Sequence, residues 1–245
     1  SGGWMVGLSD SLSLNDDIEL TIVFPLSSSK TIISGEIEGI KYFGFPQKKA
    51  VIKYDKQTEI YLSRIVLEAQ PDIIHIWGTE YPHTLAMMNV CESRGIIDKV
   101  LISIQGLCSI IAQHYFSGLP HRVVTAYTFR DIIRHENIIK QQKNFQIRGK
   151  FEVEALKKAK HVEGRTTWDK ACVMQINPDI KYYHCPRTLR SSFYENQWSI
   201  KNCEKYSIFI SQATYPIKGL HFMFEAMPAI LNSFPSTKLY VAGNN

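Results

Sequence analysis

The residues best placed for chemistry lie late in the chain, in Ile208-Phe209-Ile210-Ser211-Gln212-Ala213-Thr214-Tyr215-Pro216-Ile217-Lys218-Gly219-Leu220. The run 208–210 reads as a short buried strand, and apolar residues at 220, 223, 224, 227 and 231 give a following helix its inward face. Lys238-Leu239-Tyr240-Val241 then reads as another strand. A strand-loop-helix-strand unit sets Lys218 at a helix N-terminus, where backbone N–H groups and the helix dipole attract phosphate.

Four other positions have the right residue types. Trp77-Gly78-Thr79-Glu80 closes a strand, so Trp77 can stack on a sugar face while Glu80 accepts hydroxyl hydrogen bonds; equally, Trp77 can plug the sheet edge. Gln105 closes the next strand and can give its amide to a substrate. Gly164-Arg165-Thr166-Thr167-Trp168-Asp169 puts an arginine at a helix N-terminus, which suits an anion, although an Arg165–Asp169 pair at i, i+4 would be purely structural. Gly2-Gly3 lets the backbone approach a phosphate or sugar, or is a flexible terminus. His75, among isoleucines within a strand, reads as a hydrogen-bonded core histidine rather than a catalyst.

Alternating elements must position these residues. An amphipathic segment carries Trp4, Met5, Leu8 and Leu12, and strands are predicted at 18–24, 40–45, 73–77, 100–104, 161–163 and 180–183. Leu62, Ile65, Val66 and Ala69 stripe one helix; Pro82 opens another, with Gly95 as its C-terminal cap. The span 120–160 reads as helical with breaks near Asn144 and Gly149, and Thr166 or Thr167 caps a helix running to about Met174. Pro228 is expected to kink the last helix. Strands alternating with helices imply an α/β, doubly wound parallel sheet that binds ligands beyond the C-terminal strand ends.

Composition narrows the function classes. The chain has 245 residues, 44% of them hydrophobic, and no apolar run approaches the roughly 18 residues of a membrane helix. Five scattered cysteines without a C-x-x-C pair suit reduced thiols in a cytosolic protein and give no metal-ligand spacing. G-x-G-x-x-G, Walker, G-x-S-x-G and H-E-x-x-H patterns are all missing, so dehydrogenase, nucleotide triphosphatase, hydrolase and metalloprotease readings lose their warrant. The net charge of +5 comes from His121 to Arg165, a region able to lie on an anionic membrane or to form a plain solvated face. No stacking platform or helix-turn-helix pattern accompanies that charge, which argues against nucleic acid.

Gly2-Gly3-Trp4, Pro71-Asp72-Ile73-Ile74-His75, Gly164-Arg165-Thr166-Thr167-Trp168-Asp169 and Tyr215-Pro216-Ile217-Lys218-Gly219, taken in order, resemble glycosyltransferase family 4. These are retaining sugar transferases of the GT-B fold, with two facing Rossmann-like domains. The resemblance spans essentially the whole chain and implies an acceptor-side Rossmann-like domain over 1–205, whose first strand would precede Gly2. It implies a connector at 186–206 and the first strand-helix-strand of the nucleotide-sugar domain at 207–245. Gly2 and Gly3 would line the donor phosphates, Lys218 would neutralise the donor diphosphate, and Trp77, Glu80, Gln105 and Arg165 would serve the acceptor or substrate. No metal and no cofactor beyond the nucleotide-sugar substrate are implied. Where many relatives have an arginine before the Lys-Gly pair, Gln212 and Ala213 stand here, and Gln105 stands where many have histidine.

The implied reaction moves a hexose from a nucleotide-sugar to a glycan or lipid-linked acceptor, in bacterial surface polysaccharide synthesis by analogy. The implied location is cytoplasmic, with peripheral membrane contact left open. The family's glutamate pair would fall beyond Asn245, so these 245 residues alone are expected to turn over little or no donor. The alternatives are a non-catalytic glycan- or lipid-binding module, or a nucleotide-sugar epimerase of similar fold.

Overall fold

A computed structural model describes residues 3–47, 52–189 and 191–243. The elements run α1 (Gly3–Ser13), β1 (Thr21–Leu26), β2 (Ile33–Ile37), β3 (Ile40–Pro46), α2 (Lys56–Ala69), β4 (Ile74–Trp77), α3 (Pro82–Ser93), β5 (Val100–Ser103) and α4 (Cys108–Gln113). They continue with α5 (His121–Val124), α6 (Phe129–Arg134), α7 (Ile138–Lys158), β6 (His161–Gly164), α8 (Thr167–Ile176), β7 (Lys181–His184), α9 (Ser191–Glu195), β8 (Ser207–Ile210), α10 (Leu220–Ser233) and β9 (Lys238–Val241). The chain divides into two compact units, one made of 1–110 and 144–195, the other of 111–143 and 196–245.

In the first unit, β4, β5, β6 and β7 form a parallel sheet in that order, with flanking helices, compatible with a Rossmann-like fold. Period-two alternation sorts the faces. Ile74, Val100, Ile102 and Val162 point into a core shared with Leu62, Ile65 and Val66 of α2, Leu85 and Met88 of α3, and Leu156 of α7. His75, Trp77, Ser103 and Glu163 occupy the other face. A separate sheet, in order β1-β3-β2, pairs β1 with β3 in parallel and β2 with β3 as a hairpin. The hairpin turns at Glu38 (φ 52°) and Gly39 (φ 78°), the two left-handed residues of a type I′ turn, whose twist matches that of the flanking strands.

Helix ends follow local chemistry. The Asp55 side chain accepts from the Gln57 N–H at 2.9 Å to start α2, and Gly95 (φ 68°) takes the left-handed position after α3. Thr166 and Asp169 form a reciprocal capping box on α8.

Two expectations are corrected. First, α7 is unbroken through Asn144 and Gly149. A glycine costs a helix only about 1 kcal/mol, and packing offsets that readily. Gly149 is itself buried, and a Cβ there would lie 2.6 Å from Ser109 Cα and 2.8 Å from its nitrogen, so the missing side chain permits the approach of α4. Second, the remainder of 120–137 is not one helix but the short α5 and α6, divided before the Thr128 cap. The strand β2 was not anticipated. Helix α10 continues through Pro228 without interruption.

In the second unit, β8 and β9 pair in parallel across α10, forming the strand-helix-strand unit expected from the sequence. Around 111–143, the Tyr115 hydroxyl donates to Gln141 at 2.7 Å and Gln142 donates to the Ala112 carbonyl at 3.0 Å. Phe222 packs over Gly118, and His221 meets the Ser117 carbonyl at 3.2 Å. Among the described residues, no helix is long and apolar enough to cross a membrane.

Candidate functional site at the C-terminal edge of the parallel sheet

Four strands of one direction end along one edge, and each is followed within three residues by a polar side chain: Glu80 after β4, Gln105 after β5, Arg165 after β6 and Arg187 after β7. The fold brings Glu80, Gln105 and Arg165 to this edge as the alternation implied. Gly78 makes the first corner. Its φ of 103° is open to glycine, and a Cβ there would fall 2.3 Å from Glu80 Oε2 and 3.1 Å from Gln105 Cγ. The Glu80 carboxylate and the Gln105 side chain therefore converge over a residue that has none.

Gln105 is the hub. Its backbone carbonyl accepts from Arg165 Nη2 at 3.0 Å. Its side-chain oxygen, in the amide orientation that satisfies both partners, accepts from both terminal nitrogens of Arg187 at 2.6 Å. Arg187 Nη2 also donates to the Ile104 carbonyl at 2.7 Å. Two guanidiniums thus sit on adjacent carbonyls, and burial followed by the charge of Arg165 lowers the pKa of Arg187.

The structural alternative for Arg165 does not hold in these contacts. The Asp169 carboxylate accepts the backbone N–H groups of Arg165 (3.0 Å) and Thr166 (3.2 Å), which leaves the guanidinium for the sheet edge. His184 contacts the Arg165 carbonyl at 2.8 Å from the neighbouring strand.

A buried carboxylate fixes the loops that carry Glu80 and Gln105. Glu152 on α7 is 1% exposed and accepts from the Thr79 hydroxyl (2.8 Å), the Cys108 and Ser109 N–H groups (2.9 Å each) and the Ser109 hydroxyl (2.6 Å). It ties the loop after β4 to the start of α4 after β5. Burial raises its pKa, against the pull of those hydrogen bonds. The half-buried Glu80 is also raised, first by burial and then by Glu152, while N–H groups and Arg148 oppose the shift. Glu80 thus binds a proton more readily than a free carboxyl, and its charge acts in turn on Arg187.

On the sheet face below, His75 Nε2 lies 2.6 Å from Ser103 Oγ, and Ser103 donates to Glu163. The His75 hydrogen bond, ahead of that from Ser103 and against burial, holds the Glu163 carboxyl down to about 2. His75 is thus hydrogen-bonded, as read, but in a half-open polar row rather than among isoleucines; those point to the other face. Trp77 sits in this row with its ring edge-on to His75, centroids 5.6 Å apart.

Lys218 belongs to the second unit, at the end of the single turn Pro216–Lys218 that leads through Gly219 (φ 78°) into α10. It is exposed and makes no ion pair among the described residues. Gly3 opens α1, and Gly2 lies outside the described residues.

The thiols are poor nucleophile candidates. All five cysteines are free, and burial pushes Cys91 to about 11 and Cys108 to about 12. Among the described residues, no three His, Cys, Asp or Glu cluster as a metal site. A shallow hollow of about 280 Å³ lined by Ile22, Phe24, Ile37, Glu38, Ile40 and Tyr42 is mostly apolar and is formed by the β1-β3-β2 sheet and its hairpin turn.

Sequence reasoning missed Arg187 and Glu152. Arg187 stands three residues beyond β7, the same offset as Glu80 beyond β4, and following every parallel strand to its end would have found it. Glu152 has no such signal, because an acid in a basic helix looks solvated until its burial is seen. Compared with known proteins, the chain matches no family model and no curated protein.

Proposed function

We propose that the protein serves sugar transfer: it binds a glycan or lipid-linked acceptor on its first unit, and a nucleotide-sugar is the hexose donor. The observation that carries this reading is the convergence of Glu80, Gln105, Arg165 and Arg187 at the C-terminal edge of a parallel sheet, where α/β folds of this kind bind ligands. Glu80 accepts a sugar hydroxyl, and its raised pKa suits it to take up that proton. The two guanidiniums recognise an anionic group, which favours an acceptor linked through phosphate over a neutral glycan. Lys218, exposed beside the start of α10, supplies positive charge for a donor diphosphate, whose departure builds negative charge that a fixed cation stabilises.

Calorimetric titration with a sugar 1-diphosphate and, separately, with UDP-glucose and GDP-mannose tests this division of labour. Arg165→Ala is expected to weaken the sugar diphosphate about tenfold or more, the scale of one charge-assisted hydrogen bond, and to leave the nucleotide-sugars unaffected. Lys218→Ala should do the reverse. Glycan binding with no nucleotide affinity, unmoved by Lys218→Ala, would make the protein a non-catalytic binding module. An isomerised nucleotide-sugar formed without acceptor would make it an epimerase.

A further inference from the structure

The basic excess between His121 and Arg165 falls into two parts in the structure. In the later part, from 144 to 165, four of the six lysines and arginines are engaged within the first unit. Arg148 stacks over Phe145 at 4.4 Å and Tyr81 at 5.8 Å, Lys158 pairs with Glu92, Lys160 pairs with Asp98 at 2.6 Å, and Arg165 holds the Gln105 carbonyl. In the earlier part, Arg122, Arg130 and Arg134 are exposed and make no ion pair among the described residues.

Arg130 and Arg134 border one side of an apolar face of α6 that no described residue covers. Phe129, Ile132 and Ile133, at i, i+3 and i+4, share one side of the helix and are 77%, 56% and 61% exposed, and Tyr127 just before it is 66% exposed. Single exposed apolar residues need no explanation, but three at helical spacing with a fourth two residues ahead of them amount to a patch. The helix is held in shape by its own capping box between Thr128 and Asp131, and Lys140 donates to the His135 carbonyl at 2.7 Å just beyond its end. The patch is thus a formed surface.

We propose that this surface, α6 with the Tyr127 approach and Arg122, Arg130 and Arg134, docks on an anionic lipid bilayer. An aromatic and aliphatic face bordered by arginines matches the headgroup boundary: the rings and branched chains enter the acyl region while the guanidiniums stay with lipid phosphates. A protein partner would need carboxylates set at matching places around an apolar groove, whereas an anionic bilayer offers phosphates everywhere along its surface. Asp131 and Glu136 oppose five lysines and arginines between 121 and 143, so the segment keeps a positive balance that is complementary to the anionic membrane. This proposal stands apart from the sugar-transfer reading, since neither Lys218 nor the sheet-edge residues take part in it.

Co-sedimentation of the intact chain with phosphatidylcholine vesicles, with and without phosphatidylglycerol, at low and high salt tests the proposal. Binding is expected only with the anionic lipid and should weaken with salt. Arg130→Gln/Arg134→Gln should lower the partition coefficient about 30-fold, taking about fivefold per arginine near an anionic surface. Phe129→Ser/Ile132→Ser/Ile133→Ser should abolish it, while far-ultraviolet circular dichroism shows the parent fold. No binding to anionic vesicles at low salt, or binding that both variants retain, would overturn the proposal. So would self-association in light scattering that the apolar variant abolishes, because the patch would then seat a second copy.

Discussion

Glu152 spends its whole carboxylate on four donors from two loops, so the chemistry of that one side chain holds the sheet edge together. Glutamine offers one oxygen and turns an N–H₂ toward groups that are themselves donors. Glu152→Gln is expected to lower the unfolding free energy by about 2–3 kcal/mol, the cost of leaving buried donors without an acceptor. Urea denaturation would show it as a lower midpoint at an unchanged slope, and an unchanged midpoint would mean that the loops do not depend on this clamp.

Acid sensitivity arises with the same sign at His83 and at Glu163. Burial lowers His83 to about 4, against about 6.5 in an unfolded chain, so its neutral form stabilises the fold above about 6.5 and this is lost as pH falls toward 4. Glu163, held at about 2 against about 4.3 unfolded, contributes stability above about 4.3 that is lost as pH falls toward 2. Glu80 and Glu152 have raised pKa values and act oppositely, weakening the fold as pH rises through them, so the parent curve alone mixes the terms. The difference between parent and His83→Phe isolates one. The variant should lose less stability than the parent between about pH 6.5 and 4, and parallel curves would show that His83 does not titrate against the fold.

At the scale of elements, the strands β4 and β5 were legible because each is a short, largely apolar run bounded by turn residues, and so was the striped helix α2. The five residues of β2 lie exposed on a sheet edge, so no burial pattern marked them in the sequence. The unbroken α7 was misread because glycine and asparagine signal breaks only through local preference, and here tertiary packing decides. Gly149 is required by the Ser109 backbone beside it, whereas Asn144 has no comparable restriction. Gly149→Ala is therefore expected to destabilise by about 1–3 kcal/mol despite alanine's better helix propensity, as overpacking does. Asn144→Ala should change stability by less than about 0.7 kcal/mol. Thermal unfolding of the pair checks this, and a stabilised Gly149→Ala would contradict the close approach of α4.

For the molecule as a whole, the rule that ligands sit beyond the C-terminal ends of parallel strands did more than any single motif. It selected Glu80, Gln105 and Arg165, which the fold then brought onto one edge although they are spread over three loops. What stayed hidden depended on contacts between distant segments: Arg187 reaching back to Gln105, and Glu152 buried under two loops. Lys218 was legible as the charged corner of a strand-helix-strand unit, and that unit formed as read.

Amide chemical shifts followed while a sugar 1-diphosphate is titrated into the isotope-labelled chain test the central claim most directly. The account predicts saturable shifts at Gly78, Gly106 and Gly164, the glycines at three of the strand ends, with Glu80→Gln and Arg165→Ala each weakening the titration. Shifts confined to the hollow around Ile22 and Tyr42, or no shifts at the strand ends while the ligand still binds, would contradict it.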